Sequence, residues 1–106
     1  MTEDITRVLQ ELRSRLAVLY GERLVRLVLF GSQARGDAEP GSDIDVLVVL
    51  RGPVQPCEEI ARTIGDVAAI SLEHDVVVAC VFVCEAEFLR EQSPLLLNVR
   101  REGVPV

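Results

Sequence analysis

The chain has 106 residues, a net charge of −6 and 49% hydrophobic residues, which suits one globular domain with a modest core and excludes a disordered chain. The acidic balance argues against direct nucleic-acid binding, and no apolar run approaches the roughly 18 residues of a membrane span. All 11 basic residues are arginine, so the Walker A phosphate loop and lysine-adduct transfer, which both need a lysine, are excluded.

The N-terminus, "MTEDITRVLQ", is acidic and amphipathic, unlike a secretory signal, so a cytoplasmic protein is expected. Ile5, Val8, Leu9, Leu12, Leu16, Leu19 and Tyr20 recur at helical spacing, and Gly21 ends that helix. Leu24 to Phe30 reads as a strand. Segment 31–42, with three glycines and one proline, reads as a loop holding at most one helical turn. Ile44 to Leu50 is the apolar run of a central strand.

"RGPVQP" breaks the chain, and Pro56 fits the first position of a helix running to about Ile70. Its expected apolar stripe is Cys57, Ile60, Ala61, Ile64, Val67 and Ala68. Asp75 to Val83 reads as a third strand, and "EAEFLREQ" as a short helix. Ser93-Pro94 caps a last helix that ends at about Glu102, with Gly103 after it. Leu95, Leu96 and Leu97 cannot all face one side of that helix, which leaves part of it as a candidate interface, with a homo-oligomer as one use. Cys57, Cys80 and Cys84 give no disulfide framework, and Cys80 and Cys84 on one strand lie roughly 13 Å apart, too far to ligate one metal. A single domain over 1–106 is expected.

The chemistry concentrates in "GSQARGDAEPGSDIDVLVVL", Gly31 to Leu50. In a strand, residues i and i+2 share a face, so Asp43 and Asp45 project side by side. At about 4 Å two like charges repel by about 4 kcal/mol at an effective dielectric near 20. A divalent cation turns that repulsion into attraction, and Mg²⁺ suits paired carboxylates with phosphate co-ligands. Gly31 allows close backbone approach to a phosphate, Ser32 offers a hydroxyl, and Arg35 carries a guanidinium suited to phosphate.

Gly-Ser, ten residues, then Asp-x-Asp opening a hydrophobic strand resembles the nucleotidyltransferase superfamily related to DNA polymerase β, and more narrowly its minimal nucleotidyltransferases. "SLEHDVVVACVFVCEAEF" and "SPLLLNVRREGVPV" are similar to the same group. The resemblance implies Mg²⁺-dependent transfer of a nucleoside monophosphate, AMP from ATP, to an acceptor. It also implies a third carboxylate on a later strand, for which Asp75 is the match and Glu73 the competitor. Two Mg²⁺ ions would be shared among Asp43, Asp45 and Asp75, and Gly31, Ser32 and Arg35 would hold the phosphates. His74, beside Asp75, is expected to point to the other face of that strand.

The fold class that follows is α/β: a small mixed sheet packed with helices. Its first two strands are antiparallel, and its second and third are parallel, joined by helix 56–70 as crossover. Chains of this kind resemble antitoxins whose partner is a HEPN-domain toxin, which they modify on a hydroxyl. The alternatives are a small-molecule acceptor such as an aminoglycoside, and a non-catalytic module that neutralises its partner by contact.

Overall fold

The structure is a computed structural model that describes residues 3–39, 41–90 and 92–106. Its elements run α1 (Glu3–Tyr20), β1 (Leu24–Phe30), α2 (Ser32–Arg35), β2 (Ile44–Leu50), α3 (Pro56–His74), β3 (Val78–Cys84), α4 (Glu85–Arg90), α5 (Pro94–Glu102) and β4 (Val104–Pro105). The sheet has four strands in the order β3-β2-β1-β4. β1 and β2 pair antiparallel, and β2 and β3 pair parallel with α3 as crossover, as the sequence implies. No helix of the described residues is long and apolar enough to cross a membrane.

β2 is the centre of the fold because both of its faces are apolar. Ile44, Val46, Val48 and Leu50 pack with Leu27 and Leu29 of β1 against Val8, Leu12 and Leu16 of α1 and Ile70 of α3. Leu47 and Val49 face the other way and join Val28, Val83, Phe88, Leu96 and Val99 under α4 and α5. Each side chain of this size contributes about 1.5–3 kcal/mol on burial. The strand is therefore a rigid mount, and Asp45 is carried at its first turn out of the core.

Several boundaries differ from expectation, and one strand is added. α3 runs to His74, and β3 starts at Val78 instead of Asp75. Asp75 caps the helix in a left-handed conformation (φ 52°), which aspartate tolerates better than most residues. His74 is thus a helix residue, and its Nε2 lies 2.9 Å from Oε2 of Glu11 on α1. β4 adds a fourth strand at the outer edge of β1, where the missing N–H of Pro105 costs no pairing within a central ladder. α4 is described to Arg90, and position 91 of the expected helix lies outside the described residues.

The expected stripe of α3 is the larger correction. Ile60 and Ile64 are 49% and 62% exposed, and Cys57, Ala61 and Ala68 are exposed too, whereas Glu59, Thr63 and Ile70 are buried. Glu59 is tolerated inside because Tyr20 donates its hydroxyl to Oε1 at 2.7 Å. Burial, then that hydrogen bond and the nearby Glu59 charge, push the Tyr20 phenol well above its ordinary pKa. Replacing Tyr20 with Phe is expected to destabilise the fold by about 1–3 kcal/mol, because a buried carboxylate loses its donor. Urea denaturation checks this.

Candidate active site

Phe30 is the last residue of β1, and Gly31 turns the chain at φ 76°, ψ −157°, a region open essentially to glycine alone. Ala34 and Arg35 donate their N–H groups to the Gly31 carbonyl, both at 3.1 Å, and this closes the single turn of α2. The opening N–H groups of such a turn have no partner inside it and are available to an anion. A Cβ on Gly31 would stand 2.5 Å from Oδ2 of Asp45, so the glycine also leaves room for that carboxylate.

Glycines again end the turn, Gly36 at φ 81° and Gly41 at φ 84°. Ser42 pins the return, its Oγ accepting from the Glu39 N–H at 3.0 Å and its carbonyl accepting from Gln33 Nε2 at 3.4 Å. The chain then enters β2 with Asp43 exposed and Asp45 half-buried. The loop thus folds back so that Gly31 and Asp45 meet at the same end of paired strands, where Phe30 is the register partner of Asp45.

Burial raises the pKa of Asp45 above the ordinary carboxylate value, the charge of Asp43 raises it further, and Arg35 lowers it. The pair therefore carries negative charge that the chain neutralises only in part. Arg35 itself is engaged at the surface, its Nε 3.2 Å from Asp37 Oδ2 and its Nη1 3.7 Å from Glu102 Oε2. Asp37 is exposed and holds Arg35.

Gly31, Ser32, Arg35, Asp43 and Asp45 are therefore gathered at one end of the sheet. Asp75 is exposed and lines a pocket of about 260 Å³ with Gln33, Gly41 and Ser42 of the loop that leads into Asp43, and with Ile5, Val76 and Val77. Glu73 is exposed on the last turn of α3 and groups instead with His74 and Glu11, the three ligand atoms lying within 4.8 Å of one another. Sequence reading missed Glu11, whose carboxyl is drawn below its ordinary pKa chiefly by the hydrogen bond from His74. Nothing local marks it, because α1 and the end of α3 meet only in the fold.

The described donor set fits a hard divalent cation: one carboxylate just before a rigid strand and one on it, the charge of Asp43 raising the pKa of Asp45, beside a glycine turn.

Comparisons with known proteins agree with this geometry. The model of the nucleotidyltransferase domain family matches residues 5–97. A protein of Methanocaldococcus jannaschii, provisionally named a protein adenylyltransferase, is 29% identical over 76 residues, which is 72% of this chain and 76% of that protein. A solved structure provisionally named a minimal nucleotidyltransferase is 28% identical with a TM-score of 0.61, covering 100% of this chain and 97% of its own. A toxin–antitoxin crystal structure with AMP-PNP shares the fold at 22% identity and a TM-score of 0.60, over 88% of this chain and 68% of that one. The chain belongs to the nucleotidyltransferase domain family, and it is a nucleotidyltransferase with the minimal members of that family among its relatives.

Proposed function

We propose that this protein transfers AMP from ATP to a hydroxyl on a protein partner, a HEPN-type toxin that it silences as an antitoxin. The observation that carries this reading is Asp45 standing against the Gly31 turn at the end of the β1–β2 pair, with the charge of Asp43 acting on it. The adenylyltransferase name of the archaeal relative and the toxin–antitoxin assembly of the structural neighbour with AMP-PNP support the nucleotide and the kind of acceptor. The cytoplasm, where ATP and such a partner meet, is the proposed location.

Asp43 and Asp45 would hold Mg²⁺, which when bound supplies Lewis-acid charge to the triphosphate. Gly31 lets the backbone come close to the phosphates, and the opening N–H groups of α2 with the Ser32 hydroxyl bind their oxygens. Arg35 adds a guanidinium to the same charge. It leaves Asp37 and Glu102 at little cost, because exposed ion pairs are worth about 0–1 kcal/mol. Asp75 is the third ligand that the resemblance implies, and these roles do not depend on it.

Incubation with labelled ATP and Mg²⁺, with and without a co-encoded HEPN-domain protein, tests the acceptor. Label on the partner is expected. Label only on a supplied aminoglycoside would replace the acceptor. A tight complex without label would contradict the transfer reading.

A further inference from the structure

The third strand carries no acid toward the pair. β2 and β3 run parallel with Asp45 opposite Ala79, and partners in such a ladder point their side chains to the same face. The packing confirms the phase. Val78 and Phe82 join Ile44, Val46 and Val48 on the α1 side, whereas Val83 joins Leu47 and Val49 on the α4 side. The β3 positions on the face of Asp45 are therefore Ala79 and Val81, with Val77 ahead of them, its carbonyl accepting the Ile44 N–H at 2.9 Å.

Asp75 lies four residues before Ala79, past the end of β3 and inside the turn that ends α3. Its pocket is shared with Ile5 and Val76 of the α1-facing side and with Gln33, Gly41, Ser42 and Val77 beside the loop that leads into Asp43. Among the described residues, Asp43, Asp45 and Asp75 do not form a group with ligand atoms within 4.8 Å. The left-handed cap at position 75 gives that aspartate a structural reason of its own.

We infer that this chain builds a two-carboxylate metal centre from Asp43 and Asp45, with the methyl group of Ala79 standing at the corner where a third carboxylate would complete it, and that Asp75 is not a ligand. The inference rests on the reading of Asp43 and Asp45 as the metal pair. Its consequence is that β3 contributes no group to take the acceptor's proton, so that group arrives with the acceptor.

Mn²⁺ alone is the probe, its binding followed by electron paramagnetic resonance for the parent chain and for D45N, D75N and A79D. The D45N titration serves as the background for ions held elsewhere, such as at Glu11, Glu73 and His74. D75N is expected to bind within about twofold of the parent, and A79D at least about tenfold more tightly, because a third carboxylate adds ligand charge. Weakening in D75N comparable to that in D45N would overturn the inference, as would unchanged binding by folded A79D. Should A79D fail to fold, D75N decides alone, since its side chain is exposed. If D45N binds as the parent does, the metal pair itself is wrong, which is a separate failure.

Discussion

Replacing Asp45 with asparagine is expected to reduce nucleotidyl transfer by about a thousandfold or more, the several kcal/mol that a metal centre contributes to the transition state. The same change is expected to leave the fold intact and, in metal-free buffer, somewhat more stable. The two effects have one cause. Asp45 sits partly desolvated beside Asp43, and its pKa is raised for those reasons in that order. In the folded state it therefore holds its proton at a pH where the unfolded chain has lost it. The native state binds more protons in that window, so stability rises as pH falls through the raised pKa and stops rising below the ordinary carboxylate value. The asparagine variant lacks this part of the pH dependence. Denaturation curves from neutral pH downward, with and without Mg²⁺, measure it. A variant that transfers at the parental rate would remove Asp45 from the chemistry.

Gly31→Ala is expected to damage both stability and activity, unlike the change at Asp45. The backbone at φ 76°, ψ −157° costs a residue with a side chain about 1–3 kcal/mol. The added Cβ would also meet Asp45 Oδ2 at 2.5 Å. Relief requires the turn or the carboxylate to move, and either shift changes how the opening N–H groups of α2 stand to Asp45. A displacement near 1 Å in a catalytic constellation costs about a hundredfold in rate. Thermal denaturation together with a transfer assay checks both parts. Parental activity in the alanine variant would show that the close approach of Gly31 to Asp45 has no catalytic role.

Much of this fold is legible locally. β1 and β2 match their expected limits because their apolar runs are bounded by glycine turns and acids. α5 is marked at both ends: Ser93 accepts the Leu96 N–H, and Gly103 donates to Val99. The parts that sequence could not show depend on distant partners. Glu59 is buried where Tyr20 arrives from α1 and Arg62 pairs with the same oxygen, while Ile60 and Ile64 are exposed. α3 continues to His74, which pairs with Glu11, and that extension moves Asp75 out of the strand and into a cap. β4 has two residues, too few for any periodicity, and exists because it can pair with β1.

The candidate site shows the same division. Gly31, Ser32, Asp43 and Asp45 are close in sequence, and a hairpin-like return brings them together whatever the rest of the chain does. A third carboxylate has to come from another strand, so it depends on register, and the register places Ala79 opposite Asp45. The stretch from Gly31 to Asp45 is therefore set by local sequence, whereas a third position depends on how the strands pair.

The most direct measurement uses ATP labelled either at the α- or at the γ-phosphorus, incubated with the protein, Mg²⁺ and its partner. A nucleotidyltransferase built on Asp43 and Asp45 is predicted to place the α label on the acceptor, to release the γ label with pyrophosphate, and to do neither as D45N. Transfer of the γ label to the acceptor, or transfer of the α label undiminished in D45N, would contradict this account.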